Sequence, residues 1–502
     1  MNEAPLTPAE QLQGYIDILD QPDDVNVEHK YRVFCNRDIN FEEIDAIGFD
    51  MDYTLAMYNQ VEMDRISVEL TVERLITERG YPKAIRTIEP KADFAIRGLV
   101  LDSQLGNILK LDSHRHVGRA YHGFEELGEQ ALAVYKEEVI SFDATRFVFY
   151  DTLYALPEAF LYAALVDYRQ KSPGSIERSY RELYEDIRHC IDLAHRDGSF
   201  KKAIMEDTAR YVIRNDRLAV TLHRMRSAGK KLFLLTNSYP QYTDHLMTYL
   251  LDGALPEYKS WKQYFDVSIA GGTKPGFFTG DTPFYTIDEQ TYEISGEEHH
   301  AFQRNTLYLH GNLEKFTELT GISPARVLYV GDHIYGDILR SKKSTTWRTC
   351  MLVQEMEDEM ALVHDLHEDY QALHATEEEL ARLTQVISYI NWLEQHIDEL
   401  AKQDVDPSAH VTSKSKLRQQ RDRLKRKRRD RLESLLSVER DLGQRHNPYW
   451  GLIFKMHNKN SVFGEQVEDY ACLYTSRVAN FANYSPLHYF RAPRQPMPHE
   501  MG

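Results

Sequence analysis

The chain has 502 residues, room for two or three domains or for one large core with insertions. Its composition, 42% hydrophobic and 27% charged, excludes a disordered chain, and the net charge of -18 works against nucleic-acid binding unless a basic patch is set apart from the rest. No apolar run is long enough to cross a bilayer, and the opening MNEAPLTPAEQLQ has no basic stretch followed by an apolar core, so a cytoplasmic address and no membrane partner are expected.

The first strand signal is IDAIGFD at 44–50, an apolar run ending in Asp50, with Met51 and Asp52 next. On extended backbone alternate residues share a face, so Asp50 and Asp52 should project to one side and Met51 into packing. The interval from Tyr58 to Asn215 is too long for a crossover. It carries strand patterns of its own in 94–123 and helical ones near 156–169 and 176–197, which reads as an inserted α+β cap domain. Leu218 to Ala228 and Tyr242 to Leu251 have helical patterns on either side of the strand KKLFLLTNS at 230–238. Further strands follow at FDVSIAGG, 265–272, and RVLYVGDH, 326–333. Strands alternating with helices predict βαβ units and a mostly parallel sheet, whose carboxyl ends form the site.

Past the last strand, TEEELARLTQVISYINWLEQHIDELAKQ begins with a capping-box pattern, Thr376 and Glu379. It sets Leu380, Leu383, Ile387, Ile390, Leu393, Ile397 and Leu400 at helical spacing. A break at 404–412 and a resumed helix rich in Lys and Arg, Lys414 to Arg431, predict a helical hairpin. That basic run reads either as a nucleic-acid or partner surface or as a solvated, ion-paired face opposite the acidic first helix, and its few aromatics favour the second. Cys35, Cys190, Cys350 and Cys472 lie far apart without CxxC or Cys/His spacing, so neither a zinc site nor a disulfide framework is indicated.

The strand ends carry the residues that phosphate chemistry requires. A carboxylate there can attack phosphorus if cations offset the phosphate charge, and a neighbouring carboxyl can protonate the leaving oxygen. Asp50 and Asp52 supply the pair, Thr236 an anion-binding hydroxyl, Lys274 a cation, and Asp332 and Asp337 oxygen ligands suited to Mg²⁺. Singly, each has an ordinary structural explanation as a helix cap, a structural threonine or a solvent-facing lysine. Elsewhere, Arg188, Asp192 and His195 at i, i+4 and i+7 share one helical face, either as a ligand-facing group or as an exposed ion pair beside an unrelated histidine.

The order DxDxT, Thr, Lys, GDxxxxD, each at its own strand end, resembles the haloacid dehalogenase superfamily. The stretches IGFDMDYTLAMY, RMRSAGKKLFLLTNSYPQYTDHLMTYLL, YFDVSIAGGTKPGFF, LYVGDHIYGDILRSKK and YFRAPRQPMPHE resemble, more narrowly, the cytosolic purine 5′-nucleotidases of the IMP–GMP-specific type. That resemblance implies an α/β fold: a haloacid-dehalogenase-like Rossmannoid core with a parallel sheet, an inserted α+β cap and a helical hairpin insertion. The expected divisions are an N-terminal segment at 1–57, the cap at 58–214, the core at 215–355, the hairpin at 356–445 and a C-terminal segment at 446–502.

It further implies a Mg²⁺-dependent 5′-nucleotidase that forms an aspartyl-phosphate on Asp50. Asp52 would be the general acid, its backbone carbonyl facing the metal; Thr236, Asn237 and Lys274 would hold the phosphoryl group. Asp332 would be a metal ligand and Asp337 an acidic partner at the same centre. Arg188, Asp192, His195 and Lys201 would read a 6-oxopurine, with Tyr154 stacking on the base. Tyr335, Lys343, Gln466 and Tyr470 match the family's positions for a nucleotide effector, while Asp151 stands where that pattern has an asparagine. The implied partners are a purine nucleoside monophosphate, a nucleotide effector and further copies of the chain, and phosphate transfer to a nucleoside is a second expected outcome. The competing readings are a phosphatase for another phosphate ester and a binding protein using the basic hairpin.

Overall fold

A computed structural model describes residues 27–138, 140–142, 146–298, 301–339, 345–401 and 408–494. The four strand signals all become strands of one sheet, and their apolar runs are buried nearly throughout, as parallel strands covered on both faces must be. Contacts divide the chain into two compact units. One comprises Met1–Ile66, Leu193–Asp358 and Gln466–Gly502; the other comprises Ser67–Asp192 and Glu359–Glu465.

The first unit holds a ten-stranded sheet. Its strands, in chain order, are β1 (Phe34–Cys35), β2 (Ala46–Phe49), β3 (Lys231–Leu235), β4 (Val267–Ala270), β5 (Phe284–Ile287), β6 (Ile294–Glu298), β7 (Leu307–His310), β8 (Val327–Gly331), β9 (Arg348–Leu352) and β10 (Leu473–Thr475). They lie in the order β1-β10-β9-β8-β2-β3-β4-β7-β5-β6. From β10 to β7 every pairing is parallel. The edges close with antiparallel β1 on one side and the β5–β6 hairpin on the other.

From β2 the chain builds outward through β3 and β4 in one direction and later through β8 and β9 in the other. The carboxyl end of β2 is therefore the topological switch point, where such sheets open a crevice. Gly48 lets β2 pass beneath the ring of Phe233, since a Cβ there would stand 2.1 Å from Phe233 Cζ. Phe233 joins Phe277, Phe316, Tyr329 and Trp347 in a buried aromatic core; truncating one such ring to alanine costs about 3–5 kcal/mol.

The helices at Asp216–Ser227 and Pro240–Leu251 agree with the sequence pattern. Asn215 caps the first by accepting from Arg217 N at 2.9 Å, and proline opens the second, where its missing N–H is harmless. Strand β7 and the β5–β6 hairpin were not signalled. The run at β7 is only four residues long, and β6, ISGEE, is polar, as an edge strand must be to resist further pairing.

The second unit contains a five-stranded antiparallel sheet in the order Glu125–Glu126, Val117–His122, Asn107–Leu111, Leu99–Asp102, Phe147–Tyr150. Val100, Leu109, Leu111, Ala120 and Phe147 are buried in its core. Helices follow at Leu156–Lys171 and Tyr180–Arg196, the last four residues of the second being counted with the first unit; this is the α+β pattern expected of 94–197. The same unit carries the hairpin, as helices His367–Ala401 and Ser408–His446.

The expected helix start at Thr376 is wrong. The first helix begins at His367, and the Thr376 hydroxyl donates to the Ala372 carbonyl at 2.9 Å, an interior helical bond rather than a cap. Leu383, Ile387 and Ile390 of the predicted stripe are buried. The basic helix is tied to the acidic one by Arg421 to Glu394 at 2.7 Å, and by Lys427 and Arg431 to Glu379 at 2.6 and 3.0 Å, which favours the ion-paired reading of that face. All four cysteines are free thiols, three of them buried. Among the described residues no helix is long and apolar enough to cross a membrane.

Candidate active site

At the end of β2 the backbone N–H of Asp50 donates to Val330 O on β8 at 2.9 Å, which anchors the aspartate between the two strands. The strand stops there. The amides of Thr54, Leu55 and Ala56 converge on the Met51 carbonyl at 3.2, 3.0 and 2.9 Å, and Tyr53 adopts a left-handed φ of 54°. A tight turn, and not strand alternation, thus sets the positions of Asp50 and Asp52, which corrects the sequence expectation; Met51 is buried as expected. A left-handed tyrosine is costly backbone, and such residues concentrate where a site demands them.

Asp50 accepts from its neighbour Met51 N at 2.7 Å and lies 3.0 Å from Lys274 Nζ. Lys274 also reaches Asp337 Oδ1 at 2.7 Å and donates to Tyr329 OH at 2.8 Å, whose hydroxyl donates on to Leu235 O at 2.8 Å. The approach of Asp337 requires the glycine that ends β8, because a Cβ on Gly331 would stand 2.5 Å from Asp337 Oδ2. Asp50, Asp332 and Asp337, all buried, each offer an oxygen within 4.8 Å of the others.

Burial pushes the Asp50 carboxyl up to about 7 against the pull of Lys274, and the negative charges of Asp337 and Asp52 push it the same way. Burial by itself would lower the Lys274 ammonium, yet Asp337 and Asp50 hold it well above its ordinary value. The pocket thus carries more negative than positive charge. An all-oxygen set with uncompensated negative charge fits a hard divalent cation such as Mg²⁺.

Asp52 is held by two hydroxyls, accepting from Tyr58 OH at 2.5 Å and from Ser238 Oγ at 2.6 Å. Tyr58 OH also lies 3.0 Å from Tyr242 OH, and Lys201 Nζ donates to Ser238 Oγ at 3.3 Å. Thr236, wholly buried after β3, accepts from Ser238 N at 3.1 Å. Asn237 staples two loops: its Nδ2 donates to Lys274 O at 2.9 Å and its Oδ1 accepts from Lys274 N at 2.5 Å.

Asp50, Asp52, Thr236, Asn237, Lys274, Asp332, Asp337 and Lys201 all belong to the first unit, as does His195, whose ring meets Phe200 edge-on at 4.8 Å. Arg188, Asp192 and Tyr154 belong to the second unit. There Arg188 is half exposed and pairs with Asp192 at 3.3 Å and with the buried Glu158 at 3.1 Å. Tyr154 sits in the short helix Leu153–Ala155, capped by the Thr152 side chain. Tyr335 lies in the helical turn Ile334–Leu339, and Gln466 and Tyr470 lie on the helix Val462–Tyr470. Lys343 is outside the described residues.

Tyr58, Ser238, Tyr329 and Glu158 were not singled out from the sequence. Ser238 and Tyr58 stand close to the motifs in the chain, and a search for hydroxyls flanking DxD and the strand-end threonine would have found them. Tyr329 and Glu158 read as apolar-strand and helix residues, and only the fold reveals their partners.

The chain resembles a 5′-nucleotidase domain-containing protein of Dictyostelium discoideum, 30% identical over 483 residues that cover 93% of this chain and 74% of the relative. Among solved structures it is similar to a predicted phosphoglycolate phosphatase of Haemophilus somnus at 13% identity, covering 62% of this chain and 86% of that one, with a TM-score of 0.27. A HAD phosphatase of Thermococcus onnurineus matches at 14% identity, covering 62% and 87% of the two chains, with a TM-score of 0.24. The model of the 5′ nucleotidase family matches residues 33–502, nearly the whole chain, and the protein belongs to that family.

Proposed function

We propose that the protein is a Mg²⁺-dependent 5′-nucleotidase that releases phosphate from 6-oxopurine nucleoside 5′-monophosphates through an aspartyl-phosphate on Asp50. The observation that carries this reading is the buried network at the switch point: Lys274 bridges Asp50 and Asp337 at 3.0 and 2.7 Å, and Asp52, two residues on from Asp50, is held by Tyr58 and Ser238. Hydrolysis of phosphate esters needs a nucleophile, a proton donor and positive charge together, and this network supplies all three.

Asp50, Asp332, Asp337 and the backbone carbonyl of Asp52 would hold the cation, which when bound offsets the charge of the phosphoryl oxygens. Asp50 attacks phosphorus as the bond to O5′ breaks, and Asp52 gives its proton to O5′. Asp52 then takes a proton from the water whose oxygen attacks phosphorus. The bond to Asp50 breaks, and inorganic phosphate leaves with Asp50 again a carboxylate and Asp52 again protonated. Lys274 and the Thr236 hydroxyl hold the phosphoryl group through both steps. A nucleoside hydroxyl replacing that water gives phosphate transfer.

For the base, Arg188 can donate to O6 or N7 and Asp192 can accept from N1–H, a pattern that adenine reverses. Tyr154, His195 and Lys201 complete the recognition set. Phosphate release from IMP, GMP, AMP and CMP with Mg²⁺ tests the assignment. IMP and GMP are expected to turn over fastest, and equal or faster turnover of AMP and CMP contradicts it.

A further inference from the structure

We infer that a cleft in the second unit binds a small phosphate-bearing anion. The cleft has a volume of about 400 Å³ and is lined by three arginines, Arg146, Arg169 and Arg181, with Ser103, Gln104 and Tyr180 among its other walls; none of its lining residues is acidic. That volume holds a phosphate with a modest organic body.

Its walls are fixed before any ligand arrives. Tyr180 is wedged against Gly106, where a Cβ would stand 2.6 Å from the ring, and its hydroxyl lies 3.1 Å from His122 Nε2. On this platform the Arg169 guanidinium stacks 4.8 Å from the ring centre. Arg169 Nη1 is buried with no hydrogen-bond partner among the described residues, and no carboxylate there lies within ion-pair distance of its guanidinium. Arg146 is aimed by a two-pronged bond to the buried Asp102, at 2.9 and 2.8 Å.

The charges of the three arginines are not equally available. Asp102 and Glu138 already offset Arg146, so it contributes shape and donors more than charge. Arg181 is paired with Glu185 at 2.9 Å, but both are exposed, and such a pair contributes little and exchanges readily. Arg169 is therefore the principal uncompensated cation. The helix beginning at Tyr180 adds little, because Glu182 already accepts from both Ser179 N and Ser179 Oγ at 2.7 Å. Planar, fixed guanidinium forks suit phosphate oxygens better than they suit chloride or a single carboxylate oxygen.

The test is calorimetric titration of the full chain with inorganic pyrophosphate at constant ionic strength and without divalent cation. Arg169→Gln and Gln104→Glu each probe the cleft; the second adds a negative charge at an exposed position and leaves the packing of Tyr180 intact. Each variant is expected to lose, or to weaken at least tenfold, one class of site present in the wild type, while its thermal melting stays unchanged. Titration curves for both variants that match the wild type overturn the proposal.

Discussion

Three lysines among the described residues are buried, and two of them, Lys274 in the first unit and Lys110 in the second, are held in opposite ways. Lys274 lies between two carboxylates, Asp50 and Asp337, which keep it charged and raise its proton affinity. Lys110, on the central strand of the antiparallel sheet, donates to the main-chain carbonyls of Trp450 and Leu452, and burial pushes its ammonium down to about 7, with Glu359 opposing weakly. A carbonyl can accept from a neutral amine as well as from a charged one, though more weakly, whereas a buried carboxylate needs the charge. Burial alone does not fix the charge of a lysine; the chemistry of its acceptors does.

The largest effect is expected where charge is indispensable. Asp50→Asn should lower phosphate release at least about 10³-fold while the fold persists, because the amide keeps the shape and loses the nucleophile. Unchanged release in a continuous phosphate assay would sink the mechanism. Lys274→Met should cost about 3–5 kcal/mol in urea denaturation, since it leaves Asp50 and Asp337 buried without their cation. Mg²⁺ should restore part of that loss by taking the place of the ammonium charge. A variant as stable as the wild type would mean that the carboxylates are protonated and the network is weaker than its geometry implies.

The exposed pair on the cap helix offers a contrast to the buried network. Arg188 and Asp192 are 50% and 44% exposed, so their mutual attraction contributes little to stability, although Arg188 also meets the buried Glu158 at 3.1 Å. Asp192→Ala is expected to lower kcat/KM for IMP by about 10- to 100-fold, roughly 1–3 kcal/mol, with hydrolysis of a plain aryl phosphate unchanged. Equal losses on both substrates would reassign Asp192 to the fold.

How legible these features are in the sequence depends on how local they are. Asp50, Thr236 and Asp332 each follow an apolar run directly and Lys274 comes four residues after one, so the strand that positions them is written beside them, and a parallel sheet brings its strand ends together. The partners that arm them are not local: Tyr329 reaches Lys274 from 55 positions away, and Ser238 reaches Asp52 from 186. The DxDxT pattern marks the Asp50–Asp52 pair, but strand alternation gives the wrong account of its geometry, because nothing local distinguishes the turn at Met51 from two more residues of strand. Thr376 misled by the same logic, since a threonine three residues before a glutamate reads identically inside a 35-residue helix. Lys110 was invisible: NILKLD shows a lysine where the pleat should be half exposed, and its carbonyl partners lie some 340 residues later.

The pH dependence of stability separates the two lysines most cleanly. Below about pH 7 Lys110 carries its proton in both the folded and unfolded states, and the cost of burying the charge is fully present. Between about 7 and its ordinary value of 10.5 the unfolded chain still binds a proton that the folded chain has released, so stability rises with pH across that window. The slope is at most about 1.4 kcal/mol per pH unit. Lys110→Met keeps the length of the side chain and removes the titration. The difference in unfolding free energy, wild type minus variant, should therefore climb from pH 7 to pH 10 and level off as pH falls well below 7, whatever constant offset the two lost carbonyl bonds add. A difference that does not vary with pH would show that the two carbonyls hold Lys110 charged throughout, and would erase the distinction between acceptors that need a charge and acceptors that only need a donor.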